Sequence, residues 1–138
     1  MALTYHPEIG TVVICDFHGF VVPEMVKRRL AVIVSPRLRN RNGLCTIVPL
    51  STTPPNPIMP YHYKLKFEET LPPPYDSRFQ WVKGDMLATV SFSRLSLPHS
   101  GKAANGKRRY VVKVIEDFDL RNIRECMLHG LALSHLTG

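Results

Sequence analysis

Three stretches of the chain are apolar almost throughout and too short to be helices. TVVICDF (residues 11–17) is β-branched and bounded by Gly10 and an HGF turn, and it predicts a strand. LAVIVS (30–35) predicts a second, too continuous in its apolarity for a surface edge. LCTIVPL (44–50) predicts the returning strand, because RLRNRNG before it ends in Asn42-Gly43, a strong hairpin signal. Pro49 lacks an N–H, so the far end of that strand is expected at an edge or a bulge.

Farther on, YHYKLKF alternates, and FQWVKG, MLATVSF and RRYVVKVI are three more short apolar runs. Prolines crowd the segments on either side of YHYKLKF, from Pro54 to Pro74. That pattern predicts a hairpin-like excursion rather than a linker, and PPNP and LPPP are weak as proline-rich recognition motifs. LPHSGKAANGKRR predicts a mobile basic loop. At the C-terminal end, Asp119 is the expected helix N-cap and Phe118 with Ile123 the expected hydrophobic staple. Ile123, Met127, Leu131 and Ser134 mark one face of that helix. Roughly five to seven short strands closed by one helix predict an α+β, mainly β architecture, a small β-barrel in a single domain over residues 1–138.

Composition narrows the function more than the fold. At 44% hydrophobic and 21% charged residues the chain is not a disordered polymer. Its net charge of +7 favours a polyanionic partner such as nucleic acid. Cys15, Cys45 and Cys126 are scattered and never form CxxC, which argues against a disulfide framework or a cysteine zinc site and fits a reducing cytoplasm. No basic-then-apolar leader is evident, and no apolar run approaches the ~18 residues of a membrane span.

Candidate chemistry is confined to a few places. HExxH, GxxxxGK[ST], GxGxxG after a strand and GxSxG are all absent, and the six histidines show no ligand spacing, so neither metal nor cofactor is expected. What stands out is Glu24 followed by Lys27, Arg28 and Arg29, directly before the second strand. VPLSTT returns beside it and offers Ser51 and Thr52. Hydroxyls at a strand end near arginines can cradle a phosphate. With Glu24 added, the parts for metal-free cleavage of RNA are present, because the ribose 2′-hydroxyl supplies the nucleophile. On spacing alone the plainer reading weighs more: a surface ion pair, two turn hydroxyls and a charge run that guards an apolar strand against aggregation.

An ordered set of residues tilts that balance. Gly10, the CDF of residues 15–17, Glu24, RLAVIVSP (29–36), VPLST (48–52) and WVKGDMLATVSFSRL (81–95), ending in Arg94 and Leu95, together resemble the MazF/PemK toxin family. The resemblance implies an SH3-like β-barrel with a C-terminal helix, acting as a homodimer. It also implies a ribosome-independent, sequence-selective endoribonuclease that cuts single-stranded RNA without metal and is neutralised by a co-encoded antitoxin. By position, Arg29 would be the catalytic arginine. Ser51 would stand where the family usually has threonine at the scissile phosphate, with Thr52 beside it, and Glu24 where some members carry an important glutamate. Leu30 replaces a common proline, and Ala88 stands where many members have a basic residue for RNA. Lys27, Arg28, Lys107, Arg108 and Arg109 are the cations that could compensate. A non-catalytic protein binding nucleic acid or DNA gyrase on the same barrel is the alternative.

Overall fold

The structure, a computed structural model, describes residues 1–102 and 105–137. In chain order the strands are β1 Val12–Cys15, β2 Arg29–Ile33, β3 Leu44–Ser51, β4 His62–Lys66, β5 Phe79–Lys83, β6 Ala88–Ser91, β7 Leu95–Ser96, β8 His99–Lys102 and β9 Arg108–Tyr110. A single α-helix, α1 Asp117–Gly130, follows them. The main sheet is antiparallel in the order β4-β5-β3-β2-β1-β7, with β6 also beside β3. The result is the expected α+β, mainly β architecture with a C-terminal helix.

The unbroken apolarity of β1, β2 and β3 comes from burial of both faces. Val12, Ile14, Leu30, Val32, Val48 and Leu50 belong to one core with β4, β5 and the helix. Their alternates Val13, Cys15, Ala31, Ile33 and Ile47 belong to a second core with Phe17, Val90 and Leu95. Side chains alternate across a strand, so central strands serving two cores have no polar face to display.

Pro49 is not at an edge. β3 pairs with β2 on one side, and on the other with β6 from Leu44 through Ile47 and then with β5 at Leu50 and Ser51. Pro49 falls where one outer partner has ended and the next has not begun, so its missing N–H forfeits no ladder bond. The proline-flanked excursion is the β4–β5 hairpin itself, paired from His62↔Lys83 to Lys66↔Phe79.

The helix corrects the sequence reading in two places. Glu116, without a side-chain capping bond, precedes the first turn. Asp119 instead accepts a 2.7 Å bond from the Tyr63 hydroxyl, and Phe118 is exposed. Leu120, Ile123 and Cys126 are the buried positions, but the helix stops at Gly130, before Leu131 and Ser134. Ala132 takes a left-handed φ of 59°, and the Leu133 N–H closes the end on the Leu128 carbonyl at 2.7 Å. Part of the stretch expected as a mobile loop pairs as a two-stranded ribbon, β8 against β9. Ala103 and Ala104 of that stretch lie outside the described residues.

Candidate active site

Arg29 opens β2 in register with Cys15 of β1, so its backbone is held from the first residue of the strand. Ser51 closes β3. Because Ala31 pairs with Pro49, Arg29 and Ser51 share one face of the sheet, two residues farther along on each strand. There the Arg29 Nη1 donates toward Ser51 Oγ at 3.5 Å, a long bond. Ser51 is buried, and its Oγ also accepts the Thr53 N–H at 3.2 Å. Both of these contacts use the oxygen as acceptor, which leaves the hydroxyl proton free to point at a ligand. The Arg29 Nε is sealed from solvent and has no hydrogen-bond partner among the described residues. A buried guanidinium N–H without a partner is costly unless an acceptor arrives, and a phosphate oxygen is the natural one.

A hollow of about 170 Å³ opens at the ends of the same two strands. Its lining combines Arg28, Arg29 and Thr52 with Leu30, Leu50, Pro74, Tyr75 and Gln80. The excursion therefore contributes to the site: its returning loop supplies Pro74 and Tyr75, and β5 supplies Gln80. Gln80 is almost wholly buried.

The remaining candidates fall elsewhere. The Glu24 Oε1 accepts the Val21 N–H at 2.7 Å, and its own N–H returns to the Val21 carbonyl at 2.8 Å. Glu24 thus closes its own loop and borders a different hollow, beside Met25, Asp85 and Leu87. Among the described residues it forms no ion pair with Arg29; the pairs are Arg28–Asp16 at 3.2 Å and Lys66–Glu68 at 3.5 Å. Both members of the Arg28–Asp16 pair are largely solvated, so the pair adds little stability. The Asp16 carboxyl is held below its usual pKa chiefly by the His18 N–H, with Arg28 adding to the effect. Lys27 is exposed. Lys107, Arg108 and Arg109 are exposed on or beside the β8–β9 ribbon, which follows β7 at the opposite edge of the sheet from β4. None of the three lines the hollow beside Arg29.

Lys83 is a cation that the sequence reading passed over. It is half-buried on β5, and burial lowers its pKa; Asp85 opposes the shift, and the charge of nearby Arg29 adds to it. No local motif marks Lys83; only the pairing of β5 with β3 carries it toward Arg29. Two of the residues behind the family resemblance have structural work. Gly10 has a φ of 91° in the turn before β1. The Arg94 Nη1 donates to the Asp16 and His18 carbonyls at 2.9 and 2.6 Å, tying down the loop between β1 and β2.

Comparisons with known proteins identify the family and the fold. The family model for the PemK-like, MazF-like toxin of type II toxin-antitoxin systems matches residues 8–118, and the chain belongs to that family. An uncharacterized Haemophilus influenzae protein is 30% identical over 108 residues, 69% of this chain and 73% of that protein. The Escherichia coli protein YifN is 27% identical over 115 residues, 70% of this chain and 76% of its own length. Among solved structures, MazF from Deinococcus radiodurans superposes with a TM-score of 0.64 at 17% identity, covering 93% of this chain and 98% of that one. A mycobacterial endoribonuclease in complex with its cognate antitoxin gives 0.62 at 19% identity, covering 93% and 97%. At these identities the two structures establish the fold. Among the described residues, no helix is long and apolar enough to cross a membrane.

Proposed function

We propose that this toxin-family chain is an endoribonuclease that cleaves single-stranded RNA in the cytoplasm by attack of a ribose 2′-hydroxyl on the adjacent phosphate. The observation that carries the reading is the Arg29–Ser51 pair, with one guanidinium N–H buried and unsatisfied beside a hydroxyl free to donate. The 2′-oxygen forms a bond to phosphorus while the bond from phosphorus to the 5′-oxygen breaks. The products are a 2′,3′-cyclic phosphate and a 5′-hydroxyl. Negative charge grows on the non-bridging oxygens as the phosphorane forms. Arg29 meets that charge with a fork that stays protonated, and Ser51 donates one further hydrogen bond. Because the substrate brings its own nucleophile, this route requires only positioning, proton transfer and charge stabilisation from the protein, and calls for no metal.

A homodimer inhibited by a partner antitoxin belongs to the same proposal. It is supported by family membership and by relatives whose structures are of an endoribonuclease with its cognate antitoxin and of MazE–MazF. The test is incubation of purified protein with long single-stranded RNA in excess chelator, followed by mapping of the ends. Cyclic-phosphate and 5′-hydroxyl ends that vanish in Arg29→Ala support the proposal. RNA left intact across a broad range of sequences overturns it in favour of a non-catalytic binder on the same barrel.

A further inference from the structure

Ser51 pairs directly with Trp81 of β5, and Trp81 pairs directly with Lys64 of β4. Directly paired residues point to the same side of a sheet. The face that carries Arg29 and Ser51 therefore continues across two more strands. On β5 it presents Phe79, Trp81 and Lys83; on β4 it presents Lys66, Lys64 and His62 opposite them. The alternates Tyr63, Leu65 and Val82 turn inward to the core. The Lys64 ammonium lies 4.4 Å from the centre of the Phe79 ring and 6.0 Å from that of Trp81. Phe79 nevertheless remains 41% exposed.

From this geometry we propose that the β4–β5 face is a track for single-stranded RNA leading to the Arg29–Ser51 pair; the proposal rests on the endoribonuclease reading. An exposed aromatic ring costs solvation unless something covers it, and here Phe79 is exposed, Trp81 is half-buried, and each has a lysine as its direct cross-strand partner. Nucleobases stack on such rings regardless of sequence, while lysines reach the phosphates between them. Adjacent strands lie about 4.8 Å apart, so the path from β2 across β3 and β5 to β4 is roughly 14 Å, enough for two to three nucleotides. The rings already attract a cation, Lys64, which would move to a phosphate as a base takes its place over Phe79. A hydrophobic protein partner fits the face less well, because it would have to desolvate Lys64, Lys66 and Lys83, of which, among the described residues, Lys66 alone forms an ion pair, with Glu68.

Trp81 is the chain's one tryptophan, so its fluorescence reports on this face alone. The test titrates the full-length protein with a short, uncleavable 2′-O-methyl RNA of mixed sequence, following tryptophan emission and oligonucleotide anisotropy together. Quenching that saturates along with anisotropy is the expected result. Phe79→Ala should weaken binding by roughly 5- to 100-fold, the range for loss of one stacked base. Lys64→Gln and Lys66→Gln should each lower the slope of log affinity against log salt by about 0.7. Oligonucleotide bound without any change in emission, and with equal affinity for Phe79→Ala, overturns the track; Arg29-dependent cleavage would then still support the nuclease. Emission that depends on protein concentration but not on RNA would also overturn it, marking the face as a contact between copies. Absence of both binding and Arg29-dependent cleavage overturns track and nuclease together.

Discussion

The Nη1 of Arg29 stands 3.5 Å from the Ser51 hydroxyl, across the ends of two paired strands, and that hydroxyl already accepts the Thr53 N–H. The oxygen is held from two sides while its proton is uncommitted. Arg29→Ala is expected to slow RNA cleavage by about a hundred- to a thousandfold, the usual loss when a charge-stabilising donor is removed. Ser51→Ala should cost roughly 10- to 100-fold, the equivalent of one hydrogen bond to a charged group, and Ser51→Thr should restore most of the rate. Single-turnover rates on one mapped site measure all three. Equal rates for Ser51→Ala and the unsubstituted protein would remove the hydroxyl from the mechanism.

Glu24 separates two roles that the sequence left together. Its carboxylate accepts the Val21 N–H at 2.7 Å, a bond that an amide oxygen can also accept. Glu24→Gln is therefore expected to cleave RNA within about threefold of the unsubstituted rate, because a neutral acceptor still closes the turn. Glu24→Ala should lose more, through loosening of the loop that leads into Arg29. If the glutamine variant is as poor as the alanine variant, the charge itself acts in catalysis.

These residues mark how far the sequence was legible. Val12–Cys15 and residues 30–33 of β2 stand out because stretches shared by two cores are apolar at every position. The Arg29–Ser51 meeting follows from one hairpin, legible as two apolar runs joined by a polar stretch, although its turn falls at residues 38–41, with Asn40 at a left-handed φ of 62°, and not at the expected Asn42-Gly43. Trp81, Lys83 and Gln80 were not legible as site residues. Their places depend on the pairing of Ser51 with Trp81, across an excursion whose length nothing nearby dictates. The β8–β9 ribbon shows the converse: a run of cations signals charge, and only topology says which edge of the sheet carries it.

Lys83 gives the site a pH dependence with a definite sign. Its pKa is lowered from the ordinary 10.5 by burial and by Arg29, with Asp85 opposing. His62 is its cross-strand neighbour, and its own pKa is lowered by burial and by the Lys83 charge. Below its folded pKa, Lys83 is charged and attracts phosphate; that attraction is lost as pH rises through this value, before 10.5 is reached. Affinity for an uncleavable oligonucleotide should thus begin to fall at a pH below the ordinary lysine range. Lys83→Met should remove this early phase and lower the salt slope by about 0.7. An unchanged alkaline profile in Lys83→Met would assign the fall to another group.

Helix α1 reaches the β5–β6 turn through two glycines. A Cβ on Gly130 would lie 2.8 Å from the Gly84 carbonyl oxygen and 2.9 Å from the Asp85 Cα. A Cβ on Gly84 would lie 2.7 Å from the Cys126 carbonyl carbon. Every one of these atoms but one Cys126 Cβ contact is main chain, so relief requires the helix to move as a body. Gly130→Ala and Gly84→Ala are each expected to destabilise the fold by about 1–3 kcal/mol, as overpacking does. The double variant should lose less than the sum, because one displacement of the helix relieves both clashes. Urea melts of the four proteins measure the coupling. Strictly additive losses would mean that the two contacts yield separately and that the helix does not shift as a unit.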